Sequence, residues 1–340
     1  MQKTLKALAN NTAATNVRFW GKVVGTERDY FIAEGVAEDA NPPEEEENAE
    51  LKEARGTGVN TFAYWVCNNP ASDWVALPDL YPSDIKASRD IKMSFTGQLD
   101  RKLFSNPFFF KTEAVYLRAQ IARICHSTTL VPRHVMRLQE DSTTEVEENQ
   151  PEDQDLPIPV PSTQEMCSKS NWVHFTRNIL KCSRITHLEP EVPENEEDVD
   201  PEMLMARVVA ADPFEARLKS ITDDFSVGGF KESWVLRKYG DFTNFNAANP
   251  LHKATNSGIV VVKSLIWPGS YNFFTQGKWM QVYLGDGLKF DCKNYFPVHA
   301  PKVWNDPEEL FCMPEPNPTP ERLAQIEEAE RLAAEAEENE

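Results

Sequence analysis

Side chains able to act as nucleophiles, acids, bases or metal ligands are few in this sequence and widely scattered. The histidines stand at 126, 134, 174, 187, 252 and 299. None is paired at the four-residue spacing that sets two imidazoles on one helix face to hold zinc. The cysteines stand at 67, 125, 167, 182, 292 and 312. None forms a close pair, so neither a disulfide framework nor a zinc ribbon follows, and packed, reduced thiols are expected. Cys125 and His126 come nearest to a nucleophile and its base, but adjacent side chains diverge on a helix or a strand. The phosphate-loop, dinucleotide and nucleophile-elbow patterns are absent, and Gly228 and Gly229 form an isolated pair without a phosphate-loop lysine. The acidic runs lack the glycine and the alternation of a calcium loop. No catalytic residue, metal or cofactor is expected, and an interaction protein is favoured over an enzyme.

The elements that must position any such residues begin with an aromatic, charged hairpin, "NVRFWGKVVGTERDYFIAEG". Strands are expected at 17–24 and 29–34 around Gly25, Thr26 and Glu27. "VNTFAYWVCN" reads as a central strand because both alternating faces are apolar. "YPSDIKASRDIKMSF" predicts a helix capped by Ser83 and ended by Gly97. "EAVYLRAQIARIC" predicts a helix with one apolar stripe of Ala114, Leu117, Ile121 and Ile124, leaving Arg118 and Arg123 off it. "TTLVPRHVMRLQ" reads as a strand with Pro132 near an edge. "NWVHFTRNILK" predicts a short helix aligning Trp172, Phe175 and Ile179, and "PEMLMARVVAADPFEARLKS" fits helix or strand. From 230 the chain is β-rich, with turns at "WPGS" and "TQGK". The tail predicts a helix with Thr319 as cap and Pro320 in its first turn.

Charge is unevenly placed along the 340 residues, whose net charge is −19. Residues 38–53 carry −7, 140–165 carry −9, 189–202 carry −8 and 306–340 carry −10, which leaves +15 on the rest. A basic body with acidic arms suits acidic protein surfaces better than nucleic acid, because the arms repel phosphate. No apolar run is long enough to span a membrane, and "MQKTLKALANNTAATNV" lacks the core of a secretory signal. Aromatic and Arg side chains are the enriched anchors of protein interfaces. On that ground Arg18, Trp20, Lys22, Arg28, Tyr30, Arg118, Arg123 and Trp267 are the candidate interface residues.

Several stretches together resemble the radial spoke head protein 4/6 family. They are "RFWGKVVGTERDYFIAEG", the block from "GVNTFAYWVCNN" to "KMSFTGQLD", "YLRAQIARI", "NWVHFTRNIL", "SLIWPGSYNFF" and "YLGDGLKF", in the family's order. The resemblance spans about residues 16 to 305, apart from the acidic linkers. Members usually carry a longer segment before the hairpin than the fifteen residues seen here.

The resemblance implies a non-enzymatic structural subunit of the radial spoke head, in the axoneme of motile cilia and flagella. It implies as partners a 4/6-type paralogue or second copy, radial spoke head protein 9, MORN-repeat head proteins, stalk proteins and the central apparatus, with no membrane and no nucleic acid. It also implies a part in relaying control from the central apparatus to the dynein arms. The alternatives are a subunit like spoke head protein 9, against which "YLRAQIARI" argues, and a cytosolic nucleic-acid- or protein-binding adaptor with a basic body.

The expected fold class is α+β, a largely antiparallel sheet with a few packed helices, acidic disordered loops and a helical tail. The expected organisation is a first part of the body at 1–139, an acidic, Pro-rich linker at 140–165 and a helical segment at 166–188. An acidic linker at 189–202, a β-rich part at 203–305 and an acidic tail at 306–340 follow.

Overall fold

A computed structural model describes residues 1–12, 14–36, 52–139, 145–150, 158, 160–188, 190, 200–224, 232–240 and 258–290, with Ala324, Glu328 and Arg331. The chain divides into a body, Met1–Cys292, and a C-terminal unit, Lys293–Glu340. The three described residues of the second unit are helical and exposed. The expected cap at Thr319 and Pro320 lies outside the described residues, as do residues 38–51 of the first acidic run.

The body is α+β. Strands β1 (Thr15–Val23) and β2 (Tyr30–Val36) form the expected antiparallel hairpin. Its connection runs from Val24 to Asp29, longer than the expected turn. Strand β3 (Ala63–Cys67) pairs with β2, and the short β4 (Val75–Ala76) pairs with β3. After the helices come β5 (Leu130–Pro132), β6 (Met136–Leu138), β7 (Val146–Glu148) and β8 (Trp172–His174). Then follow β9 (Trp234–Tyr239), β10 (Ile259–Ser264), β11 (Ser270–Thr275) and β12 (Lys278–Gly285).

Eight strands make one sheet in the order β4-β3-β2-β1-β12-β11-β10-β9. The first and last parts of the body therefore share a sheet. Their seam, β1 against β12, is parallel, while the other pairs in this sheet are antiparallel. Gly21 makes the seam possible, since a Cβ there would stand 2.2 Å from the Tyr283 carbonyl oxygen.

Helix α1 (Gln2–Asn11) lays Leu5 and Leu8 against Val17, Ala33 and Trp65 on one face of the sheet. Helix α2 (Pro82–Asp90) starts one residue before the expected Ser83 cap. Pro82 fits the first turn, where no N–H is needed, and the Tyr81 amide donates to Asp84. This helix ends at Asp90 rather than at Gly97. Gly97 instead serves a close crossing, with φ +98° and the Arg28 carbonyl 2.4 Å from where a Cβ would lie.

Helix α3 (Glu113–Thr128) fills the core on the opposite face from α1. Leu117, Ile121 and Ile124 are buried as the periodicity predicts, each contributing about 1.5–3 kcal/mol. Arg118, Ala119, Ala122 and Cys125 are buried as well, so the single stripe understates the burial. Helix α4 (Pro201–Ala211) resolves the ambiguous segment as a helix, with Asp200 capping the Glu202 amide.

Three further expectations are corrected. Residues 172–174 are a strand, not a helix, and pair with Leu130–Pro132. Aromatic and β-branched Trp172 and Val173 favour the extended form once a partner strand is present. The expected strand through 130–138 breaks into β5 and β6 around a turn at Arg133–Val135. Part of the 140–165 linker is β7, paired with β6.

Candidate docking face

The hairpin is held from below by buried polar groups. Trp20 stacks on Tyr283 with ring centroids 5.3 Å apart and donates its indole N–H to Cys125 Sγ at 3.0 Å. Tyr64 donates to Glu34 Oε2 at 2.9 Å and lies 3.2 Å from the same sulfur. Burial pushes the Cys125 thiol up to about 12, so it is a packed thiol at neutral pH. Tyr30 donates to Glu113 Oε1 at 2.8 Å. Glu113 also accepts from the Thr96 amide and hydroxyl and the Gly97 amide, at 2.8–3.0 Å. A carboxylate at the first residue of α3 is further favoured by the helix dipole.

The eight candidate residues divide sharply. Trp20, Tyr30, Arg118 and Trp267 are buried and cannot anchor a partner on the surface of this body. Arg118 donates to the carbonyls of Val59 at 3.0 Å and Phe62 at 3.1 Å, with its guanidinium over the Tyr64 ring. Arg123 is half-buried over the Trp267 ring and donates to the Ser88 carbonyl at 2.7 Å. Burial, then repulsion from Arg89, lowers it to about 10, which leaves it charged at neutral pH.

Arg18, Lys22 and Arg28 remain accessible. Arg18 pairs with Glu34 at 2.7 Å and donates to the Gln281 carbonyl at 3.2 Å, so it clamps the parallel seam. Lys22 pairs with Asp29 at 2.6 Å beside the Phe31 ring, and its hydrogen bond lowers the Asp29 pKa. Glu53, the last acid of the 38–53 run, is buried. It accepts from the amides of Val59, Ile185 and Thr186 at 2.9–3.1 Å.

Strands β11 and β12 contain a reversal of the usual pattern. Ser270, Asn272 and Gln281 point into the core, while Tyr271, Phe273, Met280 and Leu284 point away from it. The inward polar groups hold the end of α3. Asn272 donates to the Thr128 carbonyl at 3.0 Å, Gln281 donates to Thr128 Oγ1 at 2.6 Å, and Thr129 Oγ1 donates to Gln281 Oε1 at 2.8 Å.

The outward side chains stand in rows across the strands. Val261, Phe273 and Met280 are in register, as are Lys263, Tyr271 and Val282, and Phe31, Lys22 and Leu284. Met280 is 53% and Leu284 52% exposed, and Tyr271 and Phe273 are half-buried with their rings stacked. An apolar grid fringed by Lys22, Lys263 and Arg237 has the composition of a protein-docking face. Sequence reasoning missed it, although "SYNFF" read with period 2 places Tyr271 and Phe273 on one side and polar residues with Phe274 on the other.

These contacts define a framework protein of the α+β class, in which buried charges join strand to helix and, among the described residues, apolar side chains of β11 and β12 stay exposed beyond the part of the sheet that α1 covers. The chain matches the family profile of radial spokehead-like proteins over residues 1–55 and 46–322. It is 32% identical over 370 residues to radial spoke head protein 4 homolog A of Homo sapiens, covering 98% of this chain and 50% of that protein. It is 28% identical over 350 residues to radial spoke head protein 6 homolog A of Mus musculus, covering 86% and 47%. It is 30% identical over 304 residues to flagellar radial spoke protein 4 of Chlamydomonas reinhardtii, covering 82% and 59%. The chain belongs to the radial spokehead-like family, a family of structural components of the axoneme of cilia and flagella. It spans about half the length of the first two of these relatives.

Proposed function

We propose that this chain is a non-enzymatic subunit of the radial spoke head, that it helps assemble the head, and that it passes mechanical signals between the central apparatus and the dynein arms. The observation that carries this reading is the reversed strand pair. A sheet that turns Asn272 and Gln281 inward and Phe273 and Met280 outward is suited to be covered by another subunit. Family membership supports the setting. The proposed occupants of the face are other head subunits: a 4/6-type paralogue or second copy, spoke head protein 9 or a MORN-repeat protein.

The test is a verified null in a motile cell with no compensating paralogue, examined by axonemal tomography and waveform analysis. Stalks with incomplete heads and altered or paralysed beating are expected. Complete heads with a normal waveform would overturn the proposal.

A further inference from the structure

The loop 102–112 leads directly into helix α3. The bridge between Lys102 and Thr112 closes it, and the Glu113 amide donates to the Arg101 carbonyl at 2.8 Å just below. Leu103 and Phe109 point inward and are buried in the main core, with the Phe109 and Tyr116 ring centroids 6.0 Å apart. Phe104, Phe108 and Phe110 point outward and are 77%, 52% and 86% exposed. Phe108 and Phe110 hold each other edge to face with centroids 4.6 Å apart. The hydroxyl of Ser105 donates to the Pro107 carbonyl at 2.8 Å across the tip. The loop is thus seated by two inward side chains and closed at its base, while presenting three phenyl rings to water.

We infer that this loop is an aromatic knob that docks on an apolar segment rimmed by carboxylates on another polypeptide. Exposed clustered aromatics mark binding surfaces, and rings held in place before binding lose little entropy when they dock. The rim chemistry follows from charge. Residues 101–112 contain Arg101, Lys102 and Lys111 and no acid. Arg101 and Lys111 meet Glu113 at 3.6 Å and Asp84 at 2.6 Å, yet their side chains remain 35% and 41% exposed. Lys102 is exposed and forms no ion pair among the described residues. A protein is favoured over an anionic lipid surface because three rings on one short loop, beside a single exposed lysine without an ion pair among the described residues, lack the long apolar helix face and the cluster of four or more basic residues that hold a chain to such a surface.

The first test titrates the purified full chain with a twenty-residue amphipathic helix built from Leu and Glu, with a Leu and Lys helix as control. Phosphatidylcholine vesicles containing phosphatidylserine form a third arm. Saturable binding to the Leu and Glu helix alone is expected. It should weaken at least tenfold in F104S/F108S/F110S and severalfold in K102E, with unchanged thermal unfolding because Leu103 and Phe109 stay seated. If the triple variant is less stable, F110S alone serves in its place. Equal binding of wild type and variants, equal binding of the Leu and Lys helix, or loop-dependent binding to vesicles would each overturn the inference.

The second test replaces Phe110 by p-benzoylphenylalanine in cells. Cross-links to one polypeptide, at an apolar segment flanked by Asp or Glu, are expected. Cross-links to lipid or spread over many proteins would overturn the inference. The peptide titration uses no axonemes, so its failure is separate from failure of the spoke assignment.

Discussion

The phenol of Tyr30 donates to the Glu113 carboxylate at 2.8 Å, joining the second hairpin strand to the first residue of the core helix. Burial, then the neighbouring Glu113 carboxylate, pushes the Tyr30 pKa well up, so the proton stays on the phenol and the bond keeps its direction. Removing that donor leaves a buried carboxylate short of one partner. Tyr30→Phe is expected to cost about 1.5–3 kcal/mol in urea unfolding followed by Trp fluorescence. Glu113→Leu strands the donors of Thr96, Gly97 and Tyr30 together and is expected to cost more than Tyr30→Phe. Equal stability of Tyr30→Phe and wild type would show that the bond does not hold the hairpin.

Arg118 and Arg28 test burial against sequence expectation. Arg118→Ala leaves the carbonyls of Val59 and Phe62 without their donor, at about 1–3 kcal/mol each. Arg28→Ala, at an exposed position, is expected to stay within about 0.5 kcal/mol of wild type. Thermal unfolding of both variants decides the point.

His126 gives the body a pH dependence. Burial, then repulsion from Arg118, lowers it from 6.5 to about 4, and its Nδ1 lies 3.2 Å from the Arg177 carbonyl oxygen. Between those values the unfolded chain binds a proton that the folded chain refuses. Stability is therefore full above about pH 6.5 and is lost as pH falls towards 4, by on the order of 3 kcal/mol. His126→Asn is expected to flatten the difference in stability between pH 6.5 and 4.5, measured by denaturant unfolding at each pH. An unchanged slope would show that His126 is not its source.

The sheet and the core helix were legible because their signals are local. Apolar residues at steps of three and four mark α3, and the turns at "WPGS" and "TQGK" separate the last strands. The segment at 172–174 misled because Trp172, Phe175 and Ile179 fit a helical step, whereas the deciding contact is with Leu130–Pro132, distant in sequence. Arg118 read as a surface cation because it falls off the apolar stripe. Its partners are carbonyls more than fifty residues away, which no local pattern shows. The docking face was hidden for a related reason. A polar residue in a strand usually faces water, but Asn272 and Gln281 face inward to receive the end of α3, which turns Tyr271, Phe273 and Met280 outward.

Substitution on the outward side of β11 and β12 asks whether the subunit docks there. Phe273→Glu with Met280→Lys alters two neighbouring outward side chains in register on β11 and β12 while leaving Asn272 and Gln281 in place. The measurement is the fraction of the tagged double variant retained in isolated axonemes, relative to wild type, alongside its unfolding midpoint in solution. A folded protein with near-normal stability that is largely lost from spoke heads is expected. Retention at the wild-type level, with intact heads, would show that this face is not where the subunit docks.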